Sequence, residues 1–195
     1  MSVADRRRRE RADRHDRIIA AARDLAEAEG WEAVTTRRLA ALVEYSQPVL
    51  YSHFDGKDAI VRAVAIEGFA DLAVQLRQAQ ALFDEPGPAL RAVCRAYLTF
   101  ASERPALYQA MFVLPIDVTF ASDDTPSPLK AAFGELAGAL KPFDAHPLLR
   151  AEVTWAALHG LAVLGRGGRI LPEGQEARID LLVSQIVNDG GSTSL

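Results

Sequence analysis

The sequence predicts an all-α chain, a small three-helix unit built on a helix-turn-helix and then a larger helical body. Three observations predict it. Apolar residues recur at spacings of three and four along most of the chain, and no stretch alternates with a period of two. Glycine and proline clusters divide these periodic stretches into helix-sized pieces. Within Thr35–Phe54, TTRRLAALVEYSQPVLYSHF, two short helical patterns are separated by Glu44-Tyr45-Ser46, the length a helix-turn-helix needs.

The chain has 195 residues, enough for one or two domains, and 49% of them are hydrophobic, enough for a sizeable core. A net charge of −4 argues against a general nucleic-acid binder, but the charge is unevenly spread. Residues 1–23 hold eight arginines against four carboxylates, so the remainder carries −8. A basic end on an acidic body suits a DNA contact confined to one end. Cys94 is the only cysteine, which excludes an intrachain disulfide and reads as an inert buried thiol. No apolar run approaches the roughly 18 residues of a membrane span, and the charged N-terminus is unlike a signal peptide. A cytoplasmic protein without a membrane partner is expected.

Residues 1–12 contain the run Arg6–Arg9 and nothing apolar beyond Val3, so composition predicts a disordered arginine-rich arm. Its functional reading is contact with phosphates or a minor groove, and its ordinary reading is a solubilising tail. A helix is predicted over about Arg14–Glu29, with Ile18, Ala22, Leu25 and Ala26 on one stripe and Gly30 ending it. Trp31 and Val34 should cover the small core. The next helix, about Thr36–Val43, has Thr35 or Thr36 as its cap and Leu39, Leu42 and Val43 on its inner face. Ser46 should cap the one after, with Pro48 in its first turn. That helix turns Gln47, Val49, Tyr51, Ser52 and His53 outward and only Leu50 and Phe54 inward. A polar, partly aromatic front on so few core residues predicts a recognition helix in a major groove.

Beyond Asp55-Gly56, a long helix over about Lys57–Leu82 carries a broad apolar face. Asp84–Pro88 reads as a break, with helices expected over Ala89–Ser102 and from Pro105 to about Phe112. Residues 116–127 read as a loop, and Leu129–Leu140 as a weaker helix containing two glycines. Pro147–Leu164 is apolar nearly all round from Val153 onward, so burial on all sides is expected. A last helix, with Ile179, Leu182, Val183, Ile186 and Val187 in one stripe, ends near Asn188. These last two helices are expected to pair with their copies in a homodimer, because one recognition helix reads too few bases for useful specificity.

Residues 14–60 resemble the DNA-binding domain of the TetR family of transcriptional regulators. The resemblance rests on Ile18-Ile19, Ala21-Ala22, Gly30-Trp31, Thr35-Thr36, Leu39-Ala40, Ser46, Leu50-Tyr51, His53-Phe54 and Lys57-Asp58. Two positions depart from it, since the family usually places a small residue, often Gly, where Glu44 stands, and Gly or a small residue at Pro48. Trp155-Ala156-Ala157-Leu158-His159-Gly160 resembles the tryptophan–histidine–glycine signature of one class of C-terminal domain in these regulators. The resemblance implies dimerisation through the last two helices.

The domains expected are thus an arm at 1–12, a DNA-binding domain at 13–56 and a ligand-binding and dimerisation domain at 57–195. Gln47 and Val49 are expected at base edges and Arg37 at a base or phosphate. Thr36, Tyr51, His53 and Lys57 are expected at phosphates, with Ser46 and Pro48 at the helix start. Tyr97, Phe100, Tyr108, Met111, Phe112, Trp155 and His159 are candidates to enclose a small apolar or aromatic effector. For Trp155 and His159 an ordinary packing role weighs more. The function expected is a ligand-responsive repressor of a double-stranded, pseudo-palindromic operator. The alternative is a helical small-molecule-binding protein or enzyme that has lost operator binding. No cofactor is expected, because the sequence shows no phosphate loop, nucleophile elbow or set of metal ligands, and nothing in it asks for an enzyme.

Overall fold

The computed structural model describes residues 2–115, 117–120 and 122–191. Residue 1 of the expected arm, residues 116 and 121 of the expected loop and the last four residues of the expected second domain lie outside them. The described residues form nine α-helices and no strand. They are α1 (Val3–Glu29), α2 (Thr36–Leu42), α3 (Gln47–Tyr51), α4 (Lys57–Gln80), α5 (Pro86–Glu103), α6 (Pro105–Phe112), α7 (Ser127–Leu140), α8 (Pro147–Arg166) and α9 (Gln175–Gly191), with short 3₁₀ turns at Trp31–Ala33 and Pro172–Gly174.

The chain divides into two compact units. The first comprises residues 1–68 and 104–119, and the second residues 69–103 and 120–195. This differs from the expected division at residue 56 in two ways. The first half of α4 belongs with the helix-turn-helix, and so does α6, which is some fifty residues further along the chain.

In the first unit, Ile18, Ile19, Ala22, Leu25 and Ala26 of α1 are buried, as are Trp31 and Val34. Three short helices make a marginal core on their own, and α6 enlarges it. Pro105 has no N–H, and the next two donors of α6, the amides of Ala106 and Leu107, are taken by the Glu27 carboxylate at 3.0 and 2.8 Å. Trp31 Nε1 donates to the Ala106 carbonyl at 2.7 Å. Gly68 of α4 lies against Leu107 and Met111 so closely that a Cβ there would stand 2.7 Å from each. The absence of a side chain on α4 is what admits α6.

The expected arm is helical instead. Helix α1 starts at Val3, where Ser2 and Asp5 form a reciprocal capping box. Arg8–Asp5 and Arg6–Glu10 ion pairs, spaced three and four, lie along the same turns. An arginine run is disordered when nothing continues it, but here it prolongs a helix whose later turns are packed.

Thr35 caps α2, its Oγ1 accepting from the Arg38 amide at 3.2 Å. The inner face of α2 is Leu39 and Ala40, and Leu42 is 57% exposed, contrary to expectation. Two turns of helix bury one narrow stripe, and the smaller residue lies on it. The turn closes on Glu44 in the left-handed region, φ 57°, the only such non-glycine among the described residues. Tyr45 N–H reaches back to the Ala40 carbonyl at 2.9 Å, which closes the helix end as glycine usually does. A side chain in this conformation costs roughly 1–2 kcal/mol, only partly offset by glycine's greater freedom when unfolded. Glu44→Gly should therefore raise stability by about 0.5–1 kcal/mol, read as an upward shift in the thermal midpoint. A lower midpoint would mean that Glu44 contributes something the backbone geometry does not reveal.

In the second unit, α5 is buried along Ala89, Leu90, Val93, Cys94, Tyr97, Leu98, Phe100 and Ala101. It begins at Pro86, inside the expected break, because proline is tolerated in a first turn whose N–H groups are unpaired anyway. Burial pushes the Cys94 thiol up to about 12, so it is inert as expected. Helices α7, α8 and α9 all pack in this unit, α9 on α5 and α8 on both α5 and α7. Of the stripe on α9, Ile179, Val183 and Ile186 are buried, Leu182 is half-buried and Val187 is exposed. Arg91 and Arg95 of α5 pair with Glu176 and Asp180 of α9 across the same contact. Helix α8 is not covered on all sides. Ala151, Thr154 and Leu158 are buried, while Leu149, Val153, Ala156 and Val163 are exposed on the opposite face.

Candidate nucleic-acid interface

Helix α3 is five residues long and could not persist alone. Leu50 and Phe54, 0% and 5% exposed, hold it from beneath. Its C-terminal end is held from the side. Arg11 Nη2 donates to the Ser52 carbonyl at 2.8 Å, and the His15 ring stacks on Phe54 with centroids 4.4 Å apart. Helix α2 is fixed to the end of α1 by a two-pronged pair, Arg38 Nη1 and Nη2 to the Glu29 oxygens at 2.8 and 2.7 Å. Arg38 lowers the Glu29 carboxyl below its usual range, with the hydrogen bond as the largest cause.

The outward face of this frame carries the predicted residues. Ser46, Gln47, Pro48 and Tyr51 are exposed, Val49 is half-buried, and Arg37 projects from α2 into solvent. Ser46 occupies the cap position of α3, but its hydroxyl makes no cap bond there. Thr36 Oγ1 and Tyr51 OH face each other at 3.5 Å across the α2–α3 corner, so one phosphate oxygen could accept from both hydroxyls. Ser52 Oγ donates to the Val49 carbonyl at 2.6 Å and is occupied by its own helix.

Two predicted phosphate ligands are partly engaged within the protein. Lys57 is half-buried, and its ammonium donates to the Trp31 carbonyl at 2.6 Å, fixing the start of α4 to the turn after α1. His53 lies 6.1 Å from His15, ring to ring. Its pKa is lowered first by burial and then by Arg11, His15 and Arg14. At neutral pH His53 is an uncharged donor.

The supporting residues Arg11, His15, Glu27, Glu29 and Arg38 were not among the predicted site. Arg11 and His15 were legible in principle. They continue the buried Ile18–Ile19 face of α1 backward in steps of three and four.

The effector candidates do not form one cluster within either unit. Tyr97, Phe100, Trp155 and His159 belong to the second unit, whereas Tyr108, Met111 and Phe112 belong to the first. Met111 is the residue against Gly68, and the Tyr108 and Phe112 rings lie 4.8 Å apart. Tyr97 and Phe100 are buried, Trp155 and His159 half-buried, and Trp155 Nε1 donates to Tyr97 OH at 3.0 Å. Burial lowers the His159 pKa, so its imidazole is uncharged at neutral pH. Among the described residues no three His, Cys, Asp or Glu side chains gather as metal ligands, and no helix is long and apolar enough to cross a membrane.

The family model described as "Bacterial regulatory proteins, tetR family" matches residues 18–64. A second, "Tetracyclin repressor-like, C-terminal domain", matches residues 90–186. An HTH-type transcriptional regulator of Mycobacterium tuberculosis, Rv0681, is 27% identical over 157 residues, 77% of this chain and 69% of its own length. A protein of unknown function from Rhodococcus sp. RHA1 has the same fold, with a TM-score of 0.74 and 20% identity over 89% of this chain and 93% of its own. So has a TetR-family transcriptional regulator from Pectobacterium atrosepticum, with a TM-score of 0.69 and 19% identity over 92% and 93% of the two chains.

Proposed function

The chain belongs to the TetR family of DNA-binding transcriptional regulators, and from that premise we propose that it is a homodimeric repressor released from its operator by a small apolar or aromatic effector. The observation that carries the DNA reading is the state of α3. Two side chains hold this helix to the core, and Gln47, Pro48 and Tyr51 face solvent. Gln47 has the amide that pairs with adenine in a major groove, and Val49 has methyl groups for a thymine methyl. Thr36 and Tyr51 hold the flanking phosphate, Arg37 reaches a base or phosphate, and His53 and Lys57 set register.

Two copies are needed for half-sites a helical turn or more apart. The exposed apolar face of α8 supports this, because Leu149, Val153, Ala156, Gly160 and Val163 follow one another at spacings of four and three. The aromatic group of Tyr97, Phe100, Trp155 and His159 supports an uncharged effector in the second unit. Such an effector releases DNA only by binding the non-operator arrangement of the two copies more tightly.

The test separates reading from holding. A duplex selected from a random pool by the wild-type protein serves as operator, and affinity is measured for every single-base variant of it. Gln47→Ala should relax choice at one position per half-site by about 1–3 kcal/mol. Tyr51→Phe should weaken all sequences alike. Unchanged preference after Gln47→Ala would remove Gln47 from the base-reading set.

A further inference from the structure

Helix α1 extends about two turns beyond Arg11, the first of its residues to touch the end of α3, and its charges are sorted by face. Steps of three and four backward from the buried Ile18, Ile19 and Ala22 lead to Arg14, His15, Arg11, Arg8 and Arg7. That half of the helix surface carries no carboxylate. Asp5, Glu10, Asp13 and Asp16 lie on the other half, among Arg6, Arg9 and Arg17. Arg6 is paired with Glu10, and Arg8 with Asp5 at the edge of the basic half. A solubilising tail has no reason to sort its charges this way, since mixed charge on all sides gives the same solubility.

The basic half has a fixed address. Arg11 is tied to the Ser52 carbonyl at 2.8 Å, and His15 is stacked on Phe54, so this face of α1 adjoins the C-terminal end of α3. Arg7 and Arg14, one turn to either side of Arg11, are exposed and make no hydrogen bond or ion pair among the described residues.

We infer that Arg7, Arg11 and Arg14 form a rigid helical rail that follows the phosphate backbone of duplex DNA outside the bases read by α3. This rests on the DNA reading of α3 and adds a second contact surface to it. From Arg7 to Arg14 the helix rises about 10 Å, the length of about three base-pair steps. The rail reads no bases, because guanidinium groups on phosphates carry no sequence information. It therefore lengthens the footprint without lengthening the recognised sequence.

The test uses the full chain and the duplex selected from a random pool by the wild-type protein, in two lengths. One ends at the last sequence-dependent base pair on each side, and the other has six further arbitrary pairs at each end. The wild-type protein should bind the longer duplex at least tenfold tighter, whatever the sequence of the added pairs. Arg7→Ala/Arg14→Ala should abolish that advantage. It should also reduce the slope of log affinity against log salt by nearly two per protomer, and leave base preference unchanged. Arg6→Ala/Arg9→Ala, on the mixed face, should change none of these. Equal effects from the two double variants, or a wild-type protein indifferent to the added pairs, would overturn the rail while leaving base reading by α3 in place. A wild-type protein that selects no sequence from the pool would overturn both.

Discussion

Gly160→Leu should leave the protomer folded at least as well as the wild type and yet prevent it from dimerising. A Cβ at Gly160 meets nothing within 4 Å, so the new side chain has open space around it in its own chain. Replacing glycine inside α8 also recovers about 1 kcal/mol of helix propensity. The single-chain effect is therefore neutral or favourable, and any loss must come from another copy. Ala156, exposed, and Gly160, half-buried, are the small residues in the middle of the α8 stripe, flanked by the exposed Leu149, Val153 and Val163. Small residues at the centre of a helix pair allow axes as close as about 8 Å, and the larger residues at either end then pack. A leucine at the centre, present on both copies around a twofold axis, keeps the helices apart and leaves the flanking residues uncovered. Burial of each of these is worth about 1.5 kcal/mol or more. The dimer should weaken at least a hundredfold, seen as a monomer in sedimentation at micromolar concentration. Operator affinity should fall with it, because two half-sites are then bound independently. A dimeric Gly160→Leu protein with wild-type operator affinity would rule out α8 as the contact.

The parts of the first unit that were legible in the sequence are those fixed by near neighbours. Leu50 and Phe54 are spaced four apart, which is enough to place them beneath α3 whatever else the chain does. Thr35 is one residue before an apolar-periodic segment, and a cap is a local bond. Leu42 was misplaced because α2 is only seven residues long, and two turns do not define a period well enough to choose between Ala40 and Leu42. The start of α1 was misplaced for a different reason. Composition alone treats Arg6–Arg9 as unstructured, but the Ser2–Asp5 box and the pairs that follow it are specific local features. The uncovered side of α8 followed from its apolar character in part only. A helix apolar all round needs cover, but the sequence does not say which side its own chain supplies.

The membership of α6 in the first unit was not legible at all, since it depends on contacts across about eighty residues of sequence, and Glu27→Ala is where it is most exposed to test. The first turn of α6 has three donors to satisfy after Pro105. Tyr108 N–H goes to the Arg104 carbonyl at 2.9 Å, and the amides of Ala106 and Leu107 go to Glu27. The cap residue of α6, Arg104, does not replace Glu27, because its side chain makes no cap bond to the helix start. The carboxylate is also placed at the positive end of the helix dipole. Net hydrogen bonds to a charged group are worth about 1.5–3 kcal/mol where buried, and this site is half-buried. Glu27→Ala should therefore cost the first unit about 2–4 kcal/mol. Glu27→Gln, which keeps one acceptor and turns an NH₂ toward the other amide, should recover about half of that. Hydrogen exchange resolves the effect by element. The Ala106 and Leu107 amides should lose protection in Glu27→Ala, together with the adjoining turns of α1, while α5 and α9 keep theirs. The Trp31→Phe change removes the 2.7 Å bond to the Ala106 carbonyl from the same turn and should be less than additive with Glu27→Ala, because both hold one end of one helix. Full additivity, or protection lost evenly over both units, would show that α6 is not fastened to α1 by Glu27.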